Sequence, residues 1–442
     1  MPESGGTDGR PIDRIRQAMD LARSGQAAMT VGLLANGIAS YVFLAASGRA
    51  LGPSRFAAVS VLWAVLFLVG SGLFQPFEQE LGRSIAARRA RGDGFGALVR
   101  RAAVLAMALF AIVAVGIAIA TRPIADALFR GDEGFVVALI VGIGGVGVML
   151  VTRGLLAGSG RYYGYAVLFF ADAATKSIPA LALAVAGVRE PLVFAGVVAV
   201  SAYLGALVPL SKGTRLSAPG PEPAWGPLSS SVGFLLLTSL LSQITLNIGT
   251  LAVEILATKS EHDRAGVFLS GLVIARVPLF LFQAVQAIVL PRLSRLAASG
   301  DLDGFRDNVR KLLAAMVGAT ALATAVSAAV GPIAVKILFG EDYGLLGSRD
   351  MGMLTFASLL MMCALTINQA QIALHHQHQT GWPWGIGALV FVGVCTVSTD
   401  DLFLRVEFGM VAGAAATTVL AAALLTRAMT GTVAPGESTP AL

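Results

Sequence analysis

Long apolar runs separated by short polar connections dominate the hydrophobic pattern of this chain. Most runs reach the ~20 residues that a helix needs to cross ~30 Å of hydrocarbon. Backbone groups in lipid must be hydrogen-bonded within a helix or a closed barrel, and runs this long exclude strands. The pattern therefore predicts an all-α polytopic membrane protein with twelve spans, at residues 25–47, 56–79, 97–121, 135–158, 164–187, 191–210, 230–257, 265–290, 312–330, 352–374, 384–397 and 408–425.

The two halves of the chain repeat each other. Residues 74–101 return in altered form as residues 282–311, about 209 positions later: both stretches open on Phe-Gln and carry Gly-Asp before a basic segment. Asn36 in the first span and Asn247 in the seventh follow a similar offset. Matching spans six apart have the same orientation in the membrane, which predicts two parallel six-helix repeats around an axis along the bilayer normal.

This repeat divides the chain into five parts. Residues 25–210 form the first predicted six-helix bundle and residues 230–430 the second. The Pro- and Gly-rich residues 211–229 read as a cytoplasmic linker between them. Residues 1–24 place apolar and Arg residues at amphipathic helical spacing, which is typical of an interfacial segment. Residues 431–442 are expected to form a disordered tail.

Composition and charge agree with a membrane location. Hydrophobic residues make up 56% of the chain and charged residues 13%, far too apolar for a soluble domain of 442 residues. About twenty Lys and Arg residues fall in the N-terminal segment, the C-terminus and every second connection, whereas the opposite connections hold about ten. The positive-inside rule then places both termini in the cytoplasm, for a multi-pass protein of the inner, cytoplasmic membrane. It also explains the net charge of +6 without nucleic acid as a partner.

The pattern gives no indication of a catalytic, metal or cofactor site. Cys363 and Cys395 lie in apolar runs without Cys or His at metal-binding spacing and are expected to be free thiols. The His-rich residues 375–379 lack carboxylate or thiolate neighbours and read as an interfacial loop. The Gly-rich residues 142–147 lie inside a span, where they favour close helix packing. Because the connections leave no room for a globular catalytic domain, we expect a protein that is not an enzyme.

Two short motifs carry a family resemblance. Residues 47–56, SGRALGPSRF, are followed by a second span that ends in LGRSIA at 81–86. This start resembles the polysaccharide transport branch of the MOP exporter superfamily, which also contains the MATE drug exporters and the lipid II flippases. The resemblance implies a flippase for a lipid-linked oligosaccharide, which uses alternating access through a central cavity lined by the first, second, seventh and eighth spans. It also implies a role in making cell-surface polysaccharides, such as lipopolysaccharide, beside glycosyltransferases or a polymerase of the same pathway.

Charged residues inside spans are the first candidates for a site. An ionised side chain at mid-bilayer costs on the order of 3 kcal/mol or more, so it needs a partner or a wet cavity. Arg276 lies in the eighth span, two residues before Pro278, which can kink the helix. Either Arg276 faces the cavity and binds an anionic substrate group, or it forms a structural salt bridge.

Four further ionisable residues leave alternatives open. Asp172 and Lys176 stand one turn apart on the fifth span, so they form either a neutral structural pair or a proton or substrate site. Arg153 lies near the cytoplasmic end of the fourth span and either snorkels to the interface or helps to bind substrate. Glu254, near the outer end of the seventh span, is a candidate for cation coupling together with Asp172.

Four amides occupy matched positions in the two halves. Asn36 matches Asn247, and Gln75 matches Gln283. All four lie on spans that should face the axis between the halves. Each amide serves either as an interhelical hydrogen-bonding group or as a ligand for sugar hydroxyls.

Three functions follow from these residues. Export of a polyprenyl-diphosphate-linked oligosaccharide requires a cationic cavity, which Arg276, Lys176 and Arg153 would supply. A MATE-like antiporter of organic cations requires carboxylates, for which Asp172 and Glu254 are the candidates. A membrane glycan polymerase or ligase requires a long outer loop, and the outer connections here are short. The sign of the cavity charge separates the first two functions.

Overall fold

The computed structural model describes residues 25–211, 220, 225–279, 296, 302–374 and 379–431. The predicted N-terminal segment and C-terminal tail, most of the predicted linker, Gln283 and the histidines at 375–378 lie outside the described residues. Within them the secondary structure is entirely helical. The helices are α1 Gly25–Val65, α2 Gly72–Ala90, α3 Gly96–Ile119, α4 Thr121–Leu128, α5 Glu133–Gly158, α6 Tyr162–Val185, α7 Pro191–Ser211, α8 Trp225–Leu256, α9 His262–Ala275, α10 Leu302–Phe339, α11 Ser348–Ala373, α12 Gly381–Val397 and α13 Leu402–Gly431.

These helices confirm the predicted membrane architecture. Nine helical stretches of the described residues are long and apolar enough to cross a bilayer, and one of them, Ala27–Ala90, contains both the first and the second predicted span. The eleventh span is the shorter apolar helix α12. The eighth predicted span begins as α9, and the structure describes it as far as residue 279. The chain is an all-α, multi-pass membrane protein.

The boundary between the first two spans is a single backbone break. At Gly52 φ is 73° and ψ is 168°, so the chain turns inside α1, and Pro53 starts the second span. Only glycine adopts this region without strain, because any Cβ would clash with the backbone. The second span continues through a π-helical turn, Leu66–Ser71, into α2.

Two local expectations were wrong. Residues 302–311 were assigned to a connection, but they form the first turns of α10. Salt bridges one turn apart, Arg306–Asp303 at 3.2 Å and Lys311–Asp307 at 2.6 Å, support this polar end of the helix. The short helix α4, between the third and fourth spans, was not predicted at all.

The helices of each half pack mainly on one another. In the first half α1 packs on α6, α6 on α7, and α5 on both α2 and α7. In the second half α11 packs on α10 and α13, and α12 packs on α13. The two halves meet where α9 lies against α1 and where α8 lies against α2. These four helices belong to the first, second, seventh and eighth spans, so the halves meet along the spans expected to face the central axis.

Glycines bring α5 close to two neighbouring helices. A Cβ on Gly145 would lie 2.9 Å from the ring of Tyr203 in α7, inside the normal contact distance. A Cβ on Gly154 would lie 2.7 Å from the carbonyl oxygen of Glu78 in α2. The small residues of α5 therefore serve close helix packing, as the sequence indicates.

The break at Gly52 generates a first prediction. We expect Gly52→Ala to lower the unfolding free energy by about 1–3 kcal/mol, because alanine is strained at this φ and ψ. The measurement is the thermal unfolding midpoint of the purified protein in detergent.

The matched control for this prediction is Gly116→Ala. Gly116 lies inside α3 with open space where a Cβ would be added. The control should be neutral or slightly stabilising, since alanine is the better helix former. Equal midpoints for the two variants would contradict the strain argument.

Candidate functional site

A cavity of about 260 Å³ lies between the two halves. Most of its wall comes from the first half, and the second half contributes one face, formed by residues of α8 and α9 together with Arg276. The part of the second predicted span that follows the π-helical turn does not line the cavity. Helices α5, α6 and α7 do line it. The polar and charged residues of the wall are Asn36, Ser40, Tyr41, Ser60, Trp63, Ser71, Arg153, Asp172, Lys176, Ser201, Thr250 and Arg276.

Arg276 lines this cavity from a break in the eighth span. Helix α9 ends at Ala275, and Arg276 takes the C-cap position two residues before Pro278, where a helix loses a backbone donor. Its guanidinium donates to the backbone carbonyl of Leu246 and, at 3.5 Å, to Asn247 Oδ1. No carboxylate of the described residues forms an ion pair with it. The cavity position is therefore observed, and the salt-bridge alternative finds no partner in this part of the chain.

The second span is irregular at the position that matches Arg276. Subtracting the repeat offset of 209 from 276 gives residue 67, which lies inside the π-helical turn Leu66–Ser71. Leu66, Phe67 and Ser71 of this turn line the cavity opposite Arg276. Both halves thus interrupt the regular helix at one matched depth, and π-helical turns are frequent at functional sites.

Asp172 and Lys176 form a buried ion pair on the wall formed by α6. Lys176 Nζ lies 2.7 Å from Asp172 Oδ2, and each side chain is 5% exposed. Nζ also lies 5.6 Å from the ring centre of Trp63, at cation–π distance. The pairing that the i,i+4 spacing allows is present, and it keeps both charges at the cavity surface.

Arg153 of α5 is held in a second ion pair, against Tyr165 and Phe169 of α6. Its Nη2 lies 3.0 Å from Glu78 Oε1, and its Nε donates to the hydroxyl of Tyr165 at 2.9 Å. Tyr165 in turn donates to Glu78 Oε1 at 2.8 Å, which closes a three-residue network between α5, α2 and α6. The guanidinium lies 5.1 Å from the ring centre of Phe169. Arg153 therefore points into the protein, where it lines the cavity, and does not snorkel freely to the interface.

The described amides differ in their position relative to the cavity. Asn36 lines the cavity, and its Oδ1 is buried without a hydrogen-bond partner among the described residues. Asn247 lies behind Arg276 and donates through Nδ2 to the carbonyl oxygen of Gln243 at 3.0 Å. Gln75 is half-buried in α2 and is not part of the cavity wall. Asn36 is thus the amide best placed to contact a substrate, and Asn247 positions Arg276.

Glu254 lies away from the cavity, in a contact between the halves at the predicted outer face. Arg130, in the connection between α4 and α5, donates to its two oxygens at 2.6 and 3.0 Å. Arg130 also donates to the carbonyl oxygen of Ser54 at 2.7 Å. Glu254 is 2% exposed, so this is a largely buried ion pair. We call these three residues the outer latch.

An aromatic cluster closes the same face beside the outer latch. The ring centres of Phe56 in the first half and Phe339 in the second are 5.4 Å apart, and Tyr343 packs on both rings. The Tyr343 hydroxyl donates to the carbonyl oxygen of Gly48 at 2.7 Å. Together with the latch, the cluster joins the halves across the predicted outer face, which is closed in this conformation.

Sequence reasoning missed several residues of this arrangement. Trp63 and Tyr41 line the cavity but look like ordinary apolar positions within their spans. Arg130 and Glu78 were assigned to connections and span ends, and their partners are distant in sequence. One signal was present, since Glu78 ends an otherwise apolar run on the repeat stretch 74–101.

The formal charge of the cavity wall is positive. Arg153, Lys176 and Arg276 face it as cations. Lys176 is paired with Asp172, the one carboxylate among the wall residues, and Arg153 is paired with Glu78, so Arg276 carries the charge that has no ion-pair partner among the described residues. Hydroxyl and amide groups and the indole of Trp63 make up the rest of the polar surface. Such a wall can bind an anionic group by charge-assisted hydrogen bonds and can place sugar hydroxyls beside neutral polar groups.

Comparisons with known proteins agree on the fold. No family model matches the chain. An uncharacterized Mycobacterium tuberculosis protein, Rv3630, is 25% identical over 409 residues, covering 89% of each chain. An inward-facing multidrug resistance MATE family transporter of the MOP superfamily aligns with a TM-score of 0.70 at 15% identity, over 92% of this chain and all of that one. The outward-facing form of such a transporter gives 0.65 at 15% identity, over 92% and 96% of the two chains.

A flippase shares the same architecture. The lipid II flippase MurJ, in an inward closed conformation, aligns with a TM-score of 0.64 at 10% identity, over 92% of this chain and 87% of that one. Identities this low establish the fold alone. The chain therefore has the twelve-helix fold of the MATE transporters, built from two parallel six-helix repeats.

The buried pair on α6 generates a second prediction. We expect Asp172→Ala to lower the unfolding free energy by about 3–5 kcal/mol, because it leaves the Lys176 ammonium buried without its counter-charge. Adding Lys176→Met should recover much of the loss, since no buried charge then remains. Thermal unfolding in detergent measures the wild type and both variants.

Asp307→Ala is the matched control for this pair. It breaks the same i,i+4 arrangement on α10, where the Lys and Asp side chains are 74% and 56% exposed. Exposed pairs contribute little to stability, so its unfolding midpoint should stay close to that of the wild type. A loss as large in Asp307→Ala as in Asp172→Ala would contradict the argument from burial.

Proposed function

We propose that the protein flips a polyprenyl-diphosphate-linked oligosaccharide across the inner membrane by alternating access. The observation that carries this proposal is the cavity between the halves, with three cations and one carboxylate on its wall. Arg276 supports it most strongly, because its guanidinium faces the cavity and forms no ion pair within the described residues. A cation inside the membrane needs either water or an anionic partner, and in this proposal the substrate supplies the anion.

The chemistry of the substrate matches these groups. A diphosphate carries several negative charges, so its passage through hydrocarbon without a protein is prohibitive. Arg276 can donate two parallel hydrogen bonds to phosphate oxygens, and Lys176 adds a point charge. Asn36, with its buried and unpartnered Oδ1, and the indole of Trp63 offer groups to the sugars next to the diphosphate.

The size of the cavity limits what it holds in this conformation. A volume of about 260 Å³ is below the ~300–1,000 Å³ of typical ligand pockets. It accommodates the diphosphate and the adjoining part of the head group, while the lipid tail stays in the bilayer. Passage of a longer glycan therefore requires the two halves to move apart.

The closed outer face fits one end state of such a cycle. The latch and the aromatic cluster join the halves on the side where the glycan would leave. Release to that side requires Arg130 and Glu254 to separate, and water must then solvate both ions. The latch thus sets part of the energy difference between the two end states.

A MATE-like antiporter of organic cations is the second candidate function. It is favoured by the shared fold and by Asp172, which supplies a carboxylate to the cavity wall. Against it, Lys176 already neutralises Asp172 at 2.7 Å, and Glu254 lies outside the cavity in the latch. In both proposals the protein is a transporter, not an enzyme, and lies in the cytoplasmic membrane with both termini in the cytoplasm. In the first proposal its partners are glycosyltransferases or a polymerase of the same pathway.

The role proposed for Arg276 gives a third prediction. We expect Arg276→Ala to reduce flipping at least about tenfold, which corresponds to about 1.4 kcal/mol of lost binding to the diphosphate. Arg276→Lys should retain part of the activity, since it keeps the charge and loses the planar pair of donors. The assay is translocation of a labelled polyprenyl-diphosphate-linked oligosaccharide in proteoliposomes.

Arg122→Ala is the control for this assay. Arg122 is 89% exposed on the predicted outer face, so its loss should leave translocation unchanged. Full activity of Arg276→Ala would remove the proposed mechanism. Efflux of an organic cation from the same vesicles, without glycolipid translocation, would favour the antiporter.

The outer latch gives a fourth prediction. We expect Glu254→Gln to open the predicted outer face, because Arg130 loses its counter-charge and the closed state loses an ion pair. A cysteine placed at Leu269, a buried cavity residue of α9, reports the opening, with Cys363 and Cys395 replaced by alanine. Its labelling by an impermeant thiol reagent from the outer side should be at least about tenfold faster.

Glu341→Gln is the matched control for the latch. Glu341 lies on the same face, is 86% exposed and pairs with Lys336 at 3.7 Å. This variant should label at the wild-type rate. An unchanged rate in Glu254→Gln would show that the latch does not hold the outer face closed.

A further inference from the structure

Glu407 is a buried carboxyl group that the transport site does not use. The sequence placed it in an outer connection, but it lies within α13, five residues after the helix begins and ~8 Å along its axis. Its side chain is 0% exposed. Both of its oxygens are buried, and neither has a hydrogen-bond partner among the described residues.

The other buried carboxylates of the described residues have partners. Asp350 is 5% exposed and accepts from Arg349 at 2.6 Å and from the backbone of Gly347 at 2.8 Å. Asp172 and Glu254 have the cations described above. Glu407 therefore differs from them in having no donor to compensate a negative charge.

The surroundings of Glu407 do not favour the ionised form. Three charged groups act on it electrostatically: Asp350 and Arg349 at the start of α11, and Asp401 just before α13. Asp401 is itself ionised, since the hydrogen bond from Arg264 holds its pKa below the ordinary value. Arg349 is committed to Asp350. Phe403 and Val406, chain neighbours of Glu407, belong to the apolar core, where the ring centre of Phe403 lies 5.4 Å from that of Phe268 in α9.

An isolated ionised carboxylate in such a site costs far more than a neutral acid, so the group takes up a proton. Coordination of a metal ion would need several further oxygen ligands, and no cluster of three or more acidic, His or Cys residues occurs in the described chain. A proton is the one ligand that removes the charge without new partners.

We propose that Glu407 is a proton-binding site, protonated while the predicted outer face is closed and deprotonated when that face opens to water. In this step the carboxyl O–H bond breaks and the proton passes to water on the outer side, and no other covalent bond changes. This inference goes beyond the proposed function and does not depend on which molecule is transported.

Infrared spectroscopy of the full chain in lipid nanodiscs tests the bound proton. The carbonyl stretch of a protonated carboxylic acid is separate from the carboxylate bands. We expect the wild type to show this band at pH 7 and Glu407→Gln to lack it. Asp400→Asn, which changes an exposed acid in the connection before α13, should retain it.

Each contrary result in this experiment overturns the proposal. Identical acid bands in the wild type and Glu407→Gln would show that Glu407 is ionised. A band that appears only when sodium is replaced by choline would show a cation site. Failure of Glu407→Gln to fold would also count against the proposal, because glutamine has the shape of the protonated acid.

The link to the outer face is tested by spin labels. Cysteines at Arg122 and Leu345, exposed in the outer connections of the first and second halves, carry the labels after Cys363 and Cys395 are replaced. Raising the pH should lengthen the wild-type distance and leave Glu407→Gln at the short distance. Equal pH dependence in both proteins, or none in either, would refute the coupling.

Discussion

The cost of an uncompensated charge in a low-dielectric interior organises this protein. Lys176, Arg153 and Arg130 each lie inside the protein with a carboxylate at 2.6–3.0 Å. A buried pair of this kind adds little net stability over apolar residues, but loss of one partner is strongly destabilising. The pairs between different parts of the chain, Arg153 with Glu78 and Arg130 with Glu254, therefore fix which helices lie together more than they strengthen the fold. Among the described residues, Arg276 and Glu407 are exceptions without a partner of opposite charge, and in our proposals a ligand supplies the missing compensation for each.

The location of each pair determines which motion it permits. The Arg153 pair joins two helices of the first half and the Lys176 pair lies within α6, so that half can move as a unit without exposing either charge. The Arg130–Glu254 pair joins the two halves and lies at one face only. Movement that opens this face must hydrate both ions, whereas movement at the opposite face leaves them buried. The ion pairs within the first half thus favour its movement as a unit, and the Arg130–Glu254 pair is the contact that must break when the predicted outer face opens.

The sequence predicted features that depend on nearby residues and missed those that depend on distant ones. Span limits follow from apolar length, the Asp172–Lys176 pair follows from i,i+4 spacing, and the helix break at Arg276 follows from Pro278. The pairing of Arg153 with Glu78 joins residues of two different spans, and no local pattern indicates it. Glu407 was misplaced for a related reason, because a charged residue near a span end looks solvated until neighbouring helices cover it.

The repeat is symmetric in its helices and asymmetric in its chemistry. Both halves interrupt a helix at the same depth, with a π-helical turn at residues 66–71 and a C-cap at Arg276. The first half adds the paired charges and most of the cavity wall, while the second adds the guanidinium of Arg276, which forms no ion pair within the described residues, and the buried acid Glu407. A duplicated scaffold needs matched irregularities, because both bundles must bend where they meet. It does not need matched ligands, since one site between the bundles serves the whole molecule. Divergence of the two halves therefore separates the proposed anion site in the cavity from the proposed proton site at Glu407, and in the proposed cycle relative motion of the halves connects the two.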